Sequence, residues 1–232
     1  MILSRATAHE INSWGRALLY DHRDSLHTFE DASQYICESA FKTFVLDDGS
    51  PLFALFRVFR IGFQYELPPE LQAQYKNDQD YFVMLAGTSG VEPAWCARQR
   101  SVGLQAIPMR SALLRPMFVE AFRQMHIEWG ENVSPVLHGA DRSLMYYFHV
   151  PEARKSPWVV DQDYFVIPYQ IQSTIGIGTT FLSKSAYIAI GFARAPVDQE
   201  NAEKFAQLVP HFSTLLAAYD QAPFWRSQPI RG

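Results

Sequence analysis

Two apolar runs in the C-terminal part of the chain limit the possible folds more than any other feature of the sequence. They extend from Ser173 to Leu182 and from Ala186 to Ala195, and the polar residues Ser183-Lys184-Ser185 separate them. Strand-like runs joined by so few residues predict a β-hairpin, because only antiparallel strands can be connected this tightly. A helical pattern begins after Pro196, so the hairpin leads directly into a terminal helix.

Three glycines lie inside the predicted hairpin, at Gly176, Gly178 and Gly191. A glycine within a strand often marks a place where another group approaches the backbone closely. We therefore expect the hairpin to form one edge of a small-molecule pocket, although the glycines do not identify the molecule.

The N-terminal third predicts two helices. Thr7 and Glu10 have the spacing of a capping box, and the helical pattern that follows ends near Tyr20. Thr28 lies three residues before Asp31 and opens a second amphipathic pattern, which carries Cys37. Both segments are expected to pack through one apolar face.

A second hairpin is predicted next, with its turn at Asp47-Asp48-Gly49-Ser50. Its arms would be Lys42 to Leu46 and the apolar run Leu52 to Ile61. The second arm is apolar on both faces, which is typical of a central strand covered on both sides. The sheet should therefore carry a layer of structure on each face.

The remaining elements alternate between strands and helices. Pro210 lies inside the terminal helical pattern from Asp198 to about Tyr219, so we expect a kink there. This order predicts an α+β fold with a largely antiparallel sheet. The other predicted elements are a short helix from Pro68-Pro69 to Tyr75, strands at Tyr81 to Ala86, Gln105 to Met109 and Leu144 to Val150, and a helix from Pro116 to about Gly130, with Trp129 on its apolar face.

Composition excludes several classes of function. The 232 residues are 48% hydrophobic and 19% charged, with a net charge of -4, so a nucleic-acid or anionic membrane surface is not expected. Only Cys37 and Cys96 are present, and no apolar run approaches bilayer length. A cytoplasmic protein is the simplest expectation.

No catalytic or metal-binding motif emerges from the residues. Gly176-Ile177-Gly178 lacks the third glycine and the Lys-Ser/Thr of phosphate-binding loops, and the seven histidines do not have metal-ligand spacing. Cys37 and Cys96 could form a redox pair, but two unrelated thiols explain them more simply.

The candidate ligand-binding residues combine an aromatic wall with a few polar anchors, as small-molecule sites commonly do. Trp95 with the nearby arginines offers a stacking wall and an anion clamp; equally, the indole could fill a core gap above solvated arginines. His149 ends a strand, where a backbone-bonded, partly buried histidine is the simpler interpretation. The complete set is Trp95, Arg98, Arg100, Tyr147, His149, Thr174 and Gly176.

Three blocks of the sequence, read together, resemble a known family. They are ALFRVFRIGFQYELPPELQA from Ala54, EPAWCARQRSVGLQAIPM from Glu92, and HVPEA, STIGIG and FARAPVDQENAEKF from His149 onward. These blocks are similar to the GAF-like sensory domain found at the N-termini of bacterial signalling proteins, which include sensor histidine kinases and cyclases. The similarity covers roughly residues 27 to 220.

The resemblance implies a central antiparallel sheet with the first and last helices on one face. Loops and short helices would close a ligand pocket on the other face, and the pocket would modulate a signalling output module. Residues 1–26 would form an N-terminal helical extension, residues 27–220 the sensory domain and residues 221–232 a loosely held tail. A homodimer through the terminal helices is also implied, and the ligand, whether haem, a nucleotide or an amino acid, stays open.

Departures from the family's pattern concern both the pocket and the output. Cys96 and Leu104 occupy positions where polar side chains are expected, and Pro210 interrupts the helix that should carry the signal. No kinase, cyclase or phosphatase sequence follows Tyr219, so we expect an output module that acts in cis on a longer chain or in trans.

Two alternatives belong to other functional classes. One is a GAF-fold thiol redox enzyme that uses Cys37 or Cys96. The other is a ligand-free dimerisation module that associates through Trp14, Phe205, Phe212 and their neighbours.

Overall fold

The computed structural model describes residues 1–20, 25–75, 81–101, 103–129, 135–137, 146–221 and 223–226. The helices are α1 (Ala8–Tyr20), α2 (Phe29–Thr43), α3 (Pro69–Gln72), α4 (Met109–Ala112), α5 (Pro116–Gln124), α6 (Gln199–Ala206) and α7 (Val209–Ala217). The strands are β1 (Phe53–Phe63), β2 (Tyr81–Gly90), β3 (Ala106–Pro108), β4 (Ile127–Trp129), β5 (Pro135–Leu137), β6 (Tyr147–Val150), β7 (Ser173–Thr180) and β8 (Ala186–Ala193).

The core of the molecule is an antiparallel sheet with the strand order β3-β2-β1-β8-β7-β6, and β4 and β5 pair separately. The predicted C-terminal hairpin is confirmed as β7 and β8, which pair from Ser173↔Ala193 to Thr180↔Ala186. Lys184, in the turn, has a φ of 69°, the left-handed conformation that tight turns require. The predicted central position of β1 is also confirmed, because β2 and β8 flank it.

The first predicted hairpin is present only in part, because its first arm does not form the predicted strand. Helix α2 continues to Thr43, so its last turn includes the start of the segment predicted as a strand. The two arms meet over a short stretch through the isolated bridge Val45↔Pro51, where the Leu46 N–H donates to the Ser50 carbonyl and the Leu52 N–H donates to the Phe44 carbonyl. Phe44 follows the helix and is fully buried between the rings of Trp14 and Phe205. This packing is between residues distant in sequence, and it places the apolar side chain in the core without a strand.

Helices and loops cover opposite faces of the sheet, as the α+β prediction required. Side chains of α1, α2, α6 and α7 form one buried cluster with one face of β1 and β8. A second cluster joins the other face to α4, α5 and the loop before β7. The first and last helices therefore share one side of the sheet, and the fold prediction is confirmed.

The capping box predicted for α1 is present, and α2 begins with one as well. In α1, the Glu10 carboxylate accepts a hydrogen bond from the Thr7 backbone N–H at 2.8 Å, and the Thr7 hydroxyl accepts one from the Glu10 N–H at 3.2 Å. In α2, Thr28 and Asp31 make the same reciprocal pair. Each box provides partners for backbone groups that the first turn of a helix leaves free.

The terminal helix differs from its prediction. Instead of a kink at Pro210, the helix stops at Ala206 and a new helix begins at Val209. Pro210 then lies in the first turn of α7, where its missing N–H costs no hydrogen bond. The helix predicted after Pro116 ends at Gln124, before β4; its predicted stop, Gly130, lies outside the described residues.

A buried cluster of charged side chains connects the segment after α7 to the helical side of the sheet. Arg60, in β1, is fully buried; its Nε donates to Glu66 Oε2 at 2.7 Å, and its Nη1 lies 2.8 Å from Asp220 Oδ1. The guanidinium carbon lies 4.7 Å from the ring centroid of Phe29 and 4.2 Å from that of Phe224. The predicted tail thus contributes a ring to this site.

Neighbouring contacts extend this attachment along the segment. The Trp225 indole N–H donates to the Glu66 carbonyl at 2.6 Å, and the Arg226 side chain pairs with Asp31. Asp220 accepts hydrogen bonds from the hydroxyls of Ser183, at 2.6 Å, and Ser185, at 2.9 Å, in the β7–β8 turn. Residues 220–226, where described, are therefore connected to the sheet, to its hairpin turn and to the start of α2.

Acid is expected to destabilise the contact between α1 and α7. Burial, and the nearby Arg16 charge, lower the pKa of His211, whose Nε2 lies 3.0 Å from Asn12 Oδ1. Because the folded pKa lies below the ordinary value of about 6.5, the neutral ring stabilises the fold above that pH, and this contribution is lost as pH falls through the folded pKa. Urea unfolding at pH 7.5, 6.5 and 5.5 should show a smaller decrease in His211→Gln than in the wild type. Parallel decreases in both proteins would contradict this assignment.

Candidate ligand cavity

A cavity of about 570 Å³ lies on the face of the sheet opposite α1, α2, α6 and α7. Strands β1 and β8 form its floor, the segment leading into α5 forms one wall, and the loop before β7 forms the other. Its volume is in the range of small-molecule sites. The floor residues are Leu55, Arg57, Phe59, Ile190 and Phe192.

Arg57 is the unusual member of this floor. It lies in the middle of β1, between strands β2 and β8, and its Nε is buried without a hydrogen-bond partner. Burial lowers the pKa of the Arg57 guanidinium to about 10, so the group is still protonated at neutral pH. No carboxylate in the described part of the chain forms an ion pair with it. The cavity therefore has a positive charge in a largely apolar floor.

Apolar side chains also surround the opening of the cavity. Leu114, Val160 and Tyr164 all line it, yet they are 83%, 64% and 84% exposed. Trp158 lies beside them and is 37% exposed. Large apolar side chains that cluster at the surface are typical of a binding site, whereas single exposed ones are common on any protein surface.

Trp95 is the predicted site residue that lines this cavity. Its indole packs against Tyr169, at 4.5 Å between ring centroids, and against Phe165, at 5.6 Å. The Thr88 hydroxyl donates to the Trp95 carbonyl at 2.8 Å, and Gly90 leaves room for the ring, since a Cβ there would lie 2.9 Å from the indole. Trp95 therefore lies in the cavity lining, and its contact with a ligand stays a prediction.

The two arginines near Trp95 do not reach the cavity. Arg98 is buried on the helical side, where its Nε donates to Glu30 at 3.2 Å, its Nη2 donates to Glu70 at 3.2 Å and its guanidinium lies over the Trp225 ring at 5.0 Å. Arg100 is exposed and contacts the Pro93 carbonyl at 3.4 Å.

Tyr147 and His149 face α6 instead of the cavity. The Tyr147 hydroxyl donates to Glu203 at 3.3 Å. The His149 Nε2 lies 2.7 Å from the Val197 carbonyl oxygen, so that nitrogen carries the proton, and Nδ1 lies 3.4 Å from Gln199 Oε1. The simpler interpretation of His149, a buried ring bonded to backbone, describes this arrangement.

Thr174 and Gly176 lie on the cavity side of β7 but not in the cavity lining. Thr174 is fully buried next to Phe192, and its hydroxyl has no hydrogen-bond partner. The space above Gly176 is filled by the Phe148 ring, to which a Cβ would approach within 2.1 Å. At this position the room that glycine provides is occupied by a core aromatic side chain.

Both cysteines are free, and neither is among the described residues that line the cavity. Cys37 is buried in α2, and burial raises the pKa of its thiol well above the usual range. Cys96 is exposed in the turn after β2. Within the described ranges, no cluster of His, Cys, Asp and Glu side chains suits a metal ion.

Sequence reasoning missed Arg57 and the apolar rim. The signal for Arg57 was present, because FALFRVFRIGF places two arginines in a strand that is otherwise apolar on both faces. Such residues in a covered strand need either a partner inside the fold or a ligand. Arg60 has partners inside the fold, whereas no described carboxylate pairs with Arg57. The rim residues had no such signal, since Trp158 and Val160 lie in an irregular loop and Tyr164 lies in the short π-helical turn Gln162–Val166.

Solved structures with the same architecture exist, although no family model and no curated protein sequence matches the chain. The GAF domain of a phosphoenolpyruvate-protein phosphotransferase from Coxiella burnetii aligns with a TM-score of 0.51 at 10% identity, covering 92% of this chain and 96% of that one. The chain has a GAF-like fold. At this identity the likeness concerns the fold alone.

Two further GAF domains align over similar lengths with lower TM-scores. The one from an Acinetobacter phosphoenolpyruvate-protein phosphotransferase has a TM-score of 0.47 at 12% identity and covers 90% of this chain and 93% of its own. The phycocyanobilin-bound GAF domain of a cyanobacterial phytochrome has a TM-score of 0.48 at 10% identity and covers 90% and 94%. None of the helices described in this GAF-like chain has the length and apolar character needed to cross a bilayer.

Proposed function

We propose that this chain is a cytoplasmic sensory or regulatory domain that binds a small molecule in the cavity over β1 and β8. The observation that carries the proposal is the cavity itself, with its partly buried Arg57, whose Nε is buried and unbonded, and its ring of exposed apolar side chains. A protein whose only task was dimerisation would not need an arginine without a described counter-charge in the wall of an apolar cavity. The cavity, not a catalytic group, is the feature that requires a function.

The proposed output is a change in the segment that follows α7. Arg57 and Arg60 lie three residues apart in β1, one on the cavity side and one in contact with Asp220. A ligand that shifts β1 would therefore act on residues 220–226 as well, and through them on a signalling module in cis or in trans. Coupling of this kind needs only a difference in ligand affinity between two arrangements of the strand.

The proposed homodimer needs a surface other than the aromatic residues considered from the sequence. Phe205 and Phe212 are fully buried in the intramolecular core, and Trp14 packs against Phe44 and Phe212. These rings already have partners within the chain. A dimer through the terminal helices would have to use their exposed faces.

A thermal-shift screen of metabolites on the wild type and on a variant with a filled cavity tests the ligand proposal. Met117 is partly buried in the cavity wall, so Met117→Trp should fill space there. A true ligand raises the Tm of the wild type through mass action but does not raise that of the variant. Native mass spectrometry of the wild type would show the retained mass and the subunit count. If no compound discriminates between the two proteins, the cavity is not a ligand site.

Hydrogen exchange measured with and without a stabilising compound tests the output. Binding should change the exchange rates of amides within residues 220–226, in addition to those of β1. If exchange changes only around the cavity, the chain binds its ligand without passing a signal to that segment.

A further inference from the structure

We propose that the ligand is an aromatic or otherwise apolar monocarboxylate whose carboxylate pairs with Arg57 on the cavity floor. This inference rests on the proposed ligand-binding function and names the chemical class that the site selects. It depends on the charge, the partners and the surroundings of one side chain.

Charge provides the first step. The guanidinium of Arg57 faces a cavity whose described floor is otherwise Leu55, Phe59, Ile190 and Phe192. A partly buried cation beside apolar side chains is favoured by a counter-charge, and a carboxylate with two acceptor oxygens matches the forked donors of arginine. The buried, unbonded Nε is one of those donors. The site is thus incomplete without an anion.

Arg60 provides an internal comparison on the same strand. It is fully buried, whereas Arg57 is partly buried, and Glu66 and Asp220 supply the counter-charges of Arg60 from within the fold. The chain can therefore place carboxylates beside a strand arginine where one is needed for stability. No carboxylate in the described ranges, including Asp161 in the cavity lining, forms an ion pair with Arg57, which leaves that position to a ligand.

The rest of the lining decides what carries the carboxylate. The walls are built largely from aromatic and aliphatic side chains, including Trp95, Phe118, Trp158 and Phe165. Asp161 lies at the cavity and would repel additional negative charge. A polyphosphate would bring several charges into an apolar space with a single cation on its floor, so a compact monoanion with a flat apolar body fits better.

Two probes of nearly equal shape separate charge from size. We choose 2-naphthoate and 2-naphthamide, and calorimetric titration of the wild type measures both affinities. One charge-assisted pairing is expected to make the acid bind about 10- to 100-fold more tightly than the amide. Binding of both probes should be lost in Met117→Trp, which shows that they occupy the cavity.

The charged group is then located by single substitutions to methionine. Arg57→Met should remove the preference for the acid while leaving affinity for the amide within about threefold, because the apolar walls are intact. Arg16→Met, which removes an exposed cation on α1, should leave both affinities unchanged and serves as the matched control.

The outcomes distinguish the two proposals. Equal affinity for acid and amide, with both blocked by Met117→Trp, would overturn the carboxylate assignment and retain the ligand cavity. Arg115 is exposed and also lines the cavity. Loss of the preference in Arg115→Met instead of Arg57→Met would place the anchor at this exposed position and also overturn the carboxylate assignment. Failure of both probes to bind the wild type would count against the cavity as well as the carboxylate.

Discussion

Arg60→Met is expected to lower the free energy of unfolding by about 3–5 kcal/mol, the range for removing one member of a buried ion pair. Arg60 is fully buried and pairs with Glu66 and Asp220, which are also buried. Methionine would fill part of the space but would leave two carboxylates without a counter-charge. Urea unfolding, followed by circular dichroism, measures the difference.

The pH dependence of the loss in unfolding free energy provides a second test of Arg60→Met. Burial raises the pKa of Glu66, and Arg60 opposes this effect, so removing the arginine should raise the pKa further. A carboxyl group whose folded pKa is raised stabilises the protein fully below its unfolded pKa and loses that contribution as pH rises through the folded pKa. The difference in unfolding free energy between the wild type and Arg60→Met should therefore be smaller at pH 5 than at pH 8.

Arg57→Met is the matched control, because it makes the same change on the other face of the same strand. No described carboxylate pairs with Arg57, so its removal leaves no uncompensated charge and should not lower the Tm of the unliganded protein. Equal destabilisation by the two substitutions would contradict the distinction between a structural and a ligand-facing arginine. A loss of unfolding free energy in Arg60→Met that does not change with pH would also contradict this distinction.

The fold was largely predictable because its main signals are local. The β7–β8 hairpin is marked by two apolar runs and a three-residue turn, and both N-terminal helices are marked by capping boxes. The error at Lys42 to Leu46 has the opposite cause. Phe44 packs against Trp14 and Phe205, which are distant in the chain, and nothing in the neighbouring sequence shows those contacts.

The site was much less predictable, since it depends on which side chains meet across the fold. Arg98 follows Trp95 closely in sequence, but it turns to the opposite side to meet Glu30, 68 residues earlier. Arg57 was predictable only in part: its position in a covered strand is visible, whereas the lack of a counter-charge is not. The Trp95 wall was predicted because a single aromatic residue carries it.

Gly87→Ala should produce the other large loss of stability, about 3 kcal/mol, at the upper end of what overpacking a core usually costs. Gly87, in β2, lies against α2, where a Cβ would come within 2.5 Å of the Ser33 carbonyl carbon and oxygen and 2.7 Å of the Gln34 nitrogen. These are backbone atoms, so no side-chain rotation can relieve the contact. The strand and the helix would have to separate.

Their separation should also affect the cavity. The Gln34 side-chain amide accepts a hydrogen bond from the Thr88 N–H at 3.1 Å and donates one to the Thr88 carbonyl at 3.0 Å. Thr88 in turn lies opposite Arg57 in the β1–β2 pairing. Gly87→Ala is therefore expected to weaken 2-naphthoate binding under conditions where the variant is still folded. Ser89→Ala, in the same strand, removes an oxygen without adding an atom and should change stability by less than about 1 kcal/mol. If Gly87→Ala unfolds at the same urea concentration as the wild type, α2 and β2 do not approach as closely as described, and the helix does not hold the strand beside Arg57.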